Sequence, residues 1–214
     1  MVEVSLDKGQ VFACEGSAND QVVVLREGVL KLCKTLQDGR QLVIAFRYPG
    51  DLLSFGQTQA DWHADVIAVT PASLSKLDAQ AFDAVRLSVP SVDGRLIDLA
   101  NDEIVAAHNH MVDLARKSPV ERVASFILEL MAQPSLSSDG GRMVSVPMSR
   151  HDIADYLGMQ TETVSRSFSR LVADGIIALP RPSLIQVLDK ADLAHLAAGG
   201  GATRRTVPAK LSRH

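Results

Sequence analysis

Residues 149–171 constrain this chain more than any other stretch, because they divide into two short amphipathic segments with one glycine between them. Ser149 is a capping residue by type, and Asp152, three positions on, completes a capping-box-like pair at the positive end of a helix dipole. Ile153, Ala154 and Leu157 then recur at helical spacing. Beyond Gly158, a second stripe of Val164, Phe168 and Leu171 follows at i, i+4, i+7. Thr161, Glu162, Ser165, Arg166, Ser169 and Arg170 are left facing away from any core. Two helices broken by a glycine turn are the layout of a helix-turn-helix, and the second helix presents a compact polar face.

The chemistry of that face suits a base edge. Glu162 and Arg166 lie one helical turn apart with Ser165 beside them, so a carboxylate, a hydroxyl and a planar five-donor fork leave one patch. Arginine can bond guanine O6 and N7 together, glutamate accepts from cytosine N4, and serine sits against a thymine methyl or a polar edge. An ordinary surface ion pair is the bland alternative, contributing a few tenths of a kcal/mol. The preceding helix, the glycine turn and the hairpin that follows favour DNA.

The stretch resembles the DNA-binding motif of the CRP/FNR superfamily of bacterial transcription regulators. Glu162-Thr163-Val164-Ser165-Arg166 resembles the E-x-x-S-R signature of its FNR and FixK branches. The resemblance implies base contacts from Glu162, Ser165 and Arg166 to a palindrome of the TTGAT-N4-ATCAA type. Backbone or flanking contacts are expected from Ser149, Arg150, Thr161, Thr163, Ser169 and Arg170, and from Arg181 of the hairpin that follows. Thr161 stands where the cyclic-AMP-responsive branch usually carries another base-reading arginine, which argues against that branch.

Net charge is −3, unpromising for a DNA binder until the chain is divided near residue 115. Residues 1–115 hold 9 Lys/Arg and 16 Asp/Glu, whereas residues 116–214 hold 13 and 9. The basic half carries the helix-turn-helix, as neutralisation of phosphates requires. No apolar run approaches a membrane span and no basic, hydrophobic leader is present, so a cytoplasmic protein without a membrane partner is expected. Cys14 and Cys33 are the only thiols and suit packing rather than a disulfide framework.

Residues 1–89 read as short strands between turn signals at Glu15-Gly16, Glu27-Gly28, Asp38-Gly39 and Pro49-Gly50-Asp51. Bottom-up, that is a small sandwich or barrel. The glycine spacing also resembles the cyclic-nucleotide-binding β-roll of the same superfamily. In nucleotide-binding members a Gly-Glu pair and a later Arg hold the ribose and cyclic phosphate, but here Ser54-Phe55 and Trp62-His63 occupy those places. Without that cation, cyclic AMP is not expected to bind in the usual way. Phe55, Trp62 and His63 either fill the pocket or line one for another effector, and a collapsed, ligandless roll is favoured. Resemblance to FixK-type members, and a chain that begins almost directly in the roll with only Cys14 near the right region, argue against an iron–sulfur cluster. A haem stays open as the alternative, a regulator gated by haem or another small molecule and sensing nitric oxide or another effector, with His63 as axial candidate. His108 and His110, two apart on a helix, point in different directions, and no metal site is assigned.

Residues 90–117 switch to a helical pattern. Ile97, Ile104 and Met111 repeat every seven, as do Ala100, Ala107 and Leu114, an a/d seam about three heptads long. The choice is between a helix packed on its own roll and a parallel homodimer seam. A palindromic target and the habit of the superfamily favour the dimer. Ser118-Pro119-Val120-Glu121 is a capping box with proline at the first helical position, which places a domain boundary there. Residues 118–196 are then a winged helix-turn-helix domain, with Pro180-Arg181-Pro182-Ser183 at the wing and Asp189 as cap of a last short helix. Residues 197–214 are expected to be a disordered basic tail, with Arg204, Arg205, Lys210 and Arg213 available for weak DNA contact.

The expected fold is therefore α+β: an N-terminal cyclic-nucleotide-binding-like β-roll, a long dimerisation helix and a C-terminal winged helix-turn-helix. The expected function is a FixK-like transcription regulator, an activator that contacts RNA polymerase and serves genes for low oxygen, nitrogen oxides or nitrogen fixation. A cupin-like metalloenzyme, the rival from another class, needs His, Glu and His at strand spacing. Residues 1–80 supply only His63, so the protein is read as no enzyme.

Overall fold

A computed structural model describes residues 1–55 and 60–200. The first half is β-rich, as the alternation of β-branched residues and turns predicts. Strands β1 (Val2–Leu6), β2 (Val11–Ala13), β3 (Ala18–Asn19), β4 (Gln21–Glu27), β5 (Leu30–Thr35), β6 (Gln41–Arg47), β7 (Leu52–Phe55), β8 (Ala60–Asp61), β9 (Asp65–Ala68) and β10 (Ala72–Asp78) are followed by helix α1 (Ala79–Ser88). They form two four-stranded antiparallel sheets, ordered β1-β10-β4-β7 and β2-β9-β5-β6, and a β3-β8 ribbon. Alternate side chains of both sheets meet in one core, where Leu25, Leu30, Val66 and Leu74 are fully buried.

The turn between β4 and β5 requires glycine. Gly28 has φ of +89°, and a Cβ there would lie 2.4 Å from the Pro71 carbonyl oxygen and 2.7 Å from Ala72 Cα. The neighbouring loop is knit to this turn, since the Val29 N–H donates to Thr70 Oγ1 (2.9 Å) and Val69 N–H to the Val29 carbonyl (2.8 Å).

Helix α2 (Ser91–Arg116) runs for 26 residues and has none buried. After it come α3 (Pro119–Met131), β11 (Ser137–Ser138), β12 (Met143–Ser145), α4 (Arg150–Leu157), α5 (Thr161–Ala173), β13 (Ile177–Arg181), β14 (Leu184–Val187) and α6 (Lys190–Ala197). Pro119 stands at the start of α3, and the Ser118 N–H donates to Glu121 Oε2 (2.7 Å), as the capping-box reading requires. Asp189 caps α6 by accepting from the Ala191 and Asp192 N–H groups.

The compact units interleave along the chain. One joins Met1–Ala115 with Pro147–Thr161; the other joins Arg116–Val146 with the residues from Glu162 onward. In the second, α3 packs on α6. Its core holds Phe126, Ile127, Phe168, Leu171, Ile177 and Ile185, all fully buried. A four-stranded sheet, β11-β12-β14-β13, carries the wing. Its edge strand β13 pairs at Ala178↔Gln186 and again at Arg181↔Leu184, with a register shift between. Pro180 falls in that interval, and a residue without an N–H is tolerated on an edge at such an irregularity.

Candidate nucleic-acid interface

The expected cap at the head of the two-helix motif is present. Ser149 Oγ accepts from the Asp152 N–H (3.0 Å), while Asp152 Oδ2 accepts from the Ser149 N–H (3.2 Å) and hydroxyl (2.6 Å). Helix α4 ends at Gly158, whose φ of 61° and ψ of 45° are left-handed, and the Met159 N–H returns to the Ala154 carbonyl (2.9 Å). Three residues, 158–160, then lead to α5.

Within α5 the apolar stripe is buried: Val164 0%, Phe168 1% and Leu171 0% exposed. Ser167 is buried as well, its hydroxyl donating to the Thr163 carbonyl (2.9 Å), so it belongs to the anchored face. Glu162, Ser165, Arg166, Ser169 and Arg170 are exposed, whereas Thr161 and Thr163 are half-buried. Glu162, Ser165, Arg166 and Ser169 follow i, i+3, i+4, i+7, a single face about 10 Å long at 1.5 Å per residue. Buried Phe168 fixes which way that face points.

The flanking residues divide. Ser149 is exposed at the α4 cap and Arg181 is exposed on the wing. Arg170 Nε pairs with Asp174 Oδ2 at 2.7 Å, so a phosphate contact from it competes with that carboxylate. Arg150 is half-buried, and burial lowers its pKa.

On α2 the expected seam is exposed in part. Ile97, Ile104 and Met111 are 62%, 53% and 57% exposed and Ala107 is exposed, but Ala100 and Leu114 are half-buried. Val105 and Val112, which the heptad reading did not include, are exposed beside the a positions. The outward apolar stripe is thus broader than a strict a/d seam and turned toward the a positions. A neighbouring side of α2 reaches β6, where Arg47 pairs with Glu103.

In the roll, Trp62 is 7% exposed inside the core, meeting Phe12 edge-on with ring centroids 5.8 Å apart. His63 is exposed. The Phe55 side chain lies outside the described residues, as do residues 56–59 and the expected basic tail from residue 201 on, with Arg204, Arg205, Lys210 and Arg213. A small open hollow of about 190 Å³ beside Trp62 is lined by Phe12, Asn19, Asp20, Gln21 and Lys76. It was not foreseen, because its lining comes from several strands far apart in sequence. Among the described residues no three His, Cys, Asp or Glu side chains gather as metal ligands, and no helix is long and apolar enough to cross a membrane.

The sequence also gave no sign of how α4 is held. Lys31 Nζ on β5 donates to Asp152 Oδ1 at 2.5 Å. Burial alone raises Asp152, but hydrogen bonds from Lys31 and Ser149 and the Lys31 charge outweigh it and keep the carboxyl below its ordinary value. At the other end of α4, buried Tyr156 stacks on His110 of α2 (centroids 4.2 Å, planes at 8°) and meets Phe46 of β6 at 5.2 Å.

Comparison with known proteins agrees with this geometry. The model of the Crp-like helix-turn-helix domain matches residues 121–196, and that of the cyclic nucleotide-binding domain matches residues 3–88. The nitrogen fixation regulation protein FixK of Bradyrhizobium diazoefficiens is 36% identical over 197 residues, 91% of this chain and 81% of that one. The transcriptional activator protein FnrL of Cereibacter sphaeroides is 32% identical over 88% of this chain and 77% of that one. The solved structure of FixK2 from Bradyrhizobium japonicum superposes with a TM-score of 0.82 at 31% identity, covering 91% of this chain and 96% of that one. Roll, helices and helix-turn-helix together, with relatives that are transcription regulators rather than enzymes, show that the chain belongs to the FixK-like branch of the CRP/FNR superfamily of transcription regulators.

Proposed function

We propose that this regulator acts as a homodimer that reads a TTGAT-N4-ATCAA-type palindrome, one α5 per half-site. The carrying observation is the exposed polar face of α5 held by a fully buried Phe168. Glu162, Ser165 and Arg166 contact base edges, and a face about 10 Å long covers three base-pair steps at 3.4 Å. Ser149, Arg150, Thr161, Thr163, Ser169, Arg170 and Arg181 serve phosphates or flanks. Half-site centres lie about one helical turn apart, the spacing a two-fold protein with two recognition helices spans. The outward stripe of Ile97, Ile104 and Met111 supports the second copy.

Bound at such sites the dimer activates transcription by contacting RNA polymerase, at genes of low-oxygen respiration, nitrogen-oxide metabolism or nitrogen fixation. The relatives named FixK and FnrL support that regulon. Trp62, packed where a nucleotide's phosphate partner is expected, supports a roll that takes no cyclic nucleotide, with activity set by how much protein is made. The second reading, gating by haem or another small molecule, rests on the hollow beside Trp62 and on exposed His63.

The test is binding of purified protein, without ligand and in air, to the palindromic duplex and to a scrambled one at fixed salt. Selective binding is expected. Arg166→Ala should lose about 1–3 kcal/mol and flatten discrimination at the guanine, while Arg181→Ala weakens both duplexes about equally. Selectivity that appears only with haem added under anaerobic conditions supports the second reading instead. Equal losses on both duplexes for both variants would refute the assigned roles.

A further inference from the structure

We propose that Lys31 of the roll is a positioning residue for DNA reading: through Asp152 it holds α4, and through α4 it sets the selective affinity of α5. This rests on the DNA reading above and adds the part of the molecule that governs it.

Helix α4 has eight residues, too few to be stable alone in water, so its placement depends on what it touches. It is fixed at both ends. At the first turn the two oxygens of Asp152 are divided, Oδ2 taking the Ser149 cap and Oδ1 taking Lys31 Nζ at 2.5 Å. Both charged side chains are largely withdrawn from water, at 18% and 14% exposure. One turn on, Tyr156 is gripped between His110 of α2 and Phe46 of β6. Asp152 and Tyr156 stand four apart, so both fastenings lie on one side of the helix.

The consequence for α5 comes through the chain itself. Only residues 158–160 separate the helices, and the turn is tightened by the Met159 N–H on the Ala154 carbonyl. A shift of α4 would therefore be passed to the first residue of α5 through this short turn. With α4 so held, Glu162, Ser165 and Arg166 are exposed. Removing Lys31 leaves Asp152 half-buried with only its cap, so the first turn of α4 loses its fastening to the roll while Tyr156 keeps the other. A roll without the usual nucleotide contacts thus keeps a task, to hold the first helix of the motif.

The experiment uses the full-length chain and measures affinity for the palindromic and scrambled duplexes at fixed salt. Lys31→Met should lose about fivefold or more on the palindrome and little on scrambled DNA, whereas Lys31→Arg, which keeps the charge and the reach, retains most of the affinity. In an Asp152→Asn background, Lys31→Met should have no further effect, since the pair acts as one unit. Trp62 fluorescence for the roll and far-UV circular dichroism for the helices check that each variant is folded; if Lys31→Met is not, Tyr156→Leu, which keeps an apolar side chain but loses the stack, should show the same selective loss. A wild type that is selective beside a silent Lys31→Met refutes the proposal alone. Losses that multiply in the double variant, or that fall equally on scrambled DNA, also refute it. A wild type with no selectivity refutes the DNA reading, and the proposal with it.

Discussion

Alanine at position 28 should damage the roll far more than alanine at position 39, although both glycines have the same left-handed backbone, φ +89° and +84°. For an L residue that conformation costs about 1–2 kcal/mol, and at Gly39 nothing lies within 4 Å of the added methyl, so the cost stops there. At Gly28 the methyl would sit 2.4 Å from the Pro71 carbonyl oxygen and 2.8 Å from Ala72 Cβ. The obstruction is backbone, which cannot swing aside as a side chain can. Moving residues 70–72 strains two hydrogen bonds to Val29, worth about 1 kcal/mol each. The total for Gly28→Ala is about 3–4 kcal/mol, roughly 2 kcal/mol beyond Gly39→Ala. Trp62 is the only tryptophan and is buried in this core, so its emission during urea titration follows the roll alone. Equal losses for the two variants would refute the argument, since the clash would then cost nothing.

The remaining predictions concern the seam, the thiols and acid. Ile104→Glu should give a monomer by light scattering and lose palindrome affinity, while the near-UV spectrum of the fold stays unchanged, because Ile104 is exposed in the single chain. Native protein should take up one equivalent of a thiol reagent near neutral pH, at exposed Cys14. Cys33 is buried, burial pushes its thiol up to about 11, and it should react only after unfolding. Asp152, held below its ordinary value, contributes stability that is complete above about pH 4, the unfolded carboxyl range, and is lost as pH falls through its depressed folded value. The stability gap between wild type and Asp152→Asn should therefore be constant from neutral pH to about pH 5 and shrink only in stronger acid. A gap that closes already at about pH 6 contradicts the lowered value.

What was legible in the sequence is what depends on neighbours along the chain. The Ser149-Asp152 cap, the break at Gly158, the buried stripe Val164-Phe168-Leu171 and the cap at Asp189 are fixed by residues three to seven apart, and each is found where the pattern put it. The α2 stripe was legible in part. Heptad counting found Ile97, Ile104 and Met111, but Ala100 and Leu114 are half-buried, because which side of α2 turns inward is decided by distant partners such as Arg47 and Tyr156. Lys31 and Asp152 are separated by 121 positions, and no periodicity links them. Trp62 was marked as unusual for its place, but only the packed roll shows that its ring is core. Local chemistry writes caps and stripes; long-range contacts choose what they rest on.

The outward stripe of α2 also bears on dosage. With Ala100 and Leu114 half-buried and alanine at the exposed d position 107, the proposed pairing would rest mainly on Ile97, Ile104 and Met111 and hold less free energy than a leucine-rich a/d seam of the same length would. Where copies are scarce relative to the dissociation constant, the paired form grows with the square of the chain concentration. Doubling synthesis then gives about four times as much of the form that can span a palindrome. On the proposed reading, a regulator governed by its own abundance would acquire a steep response without any ligand at all.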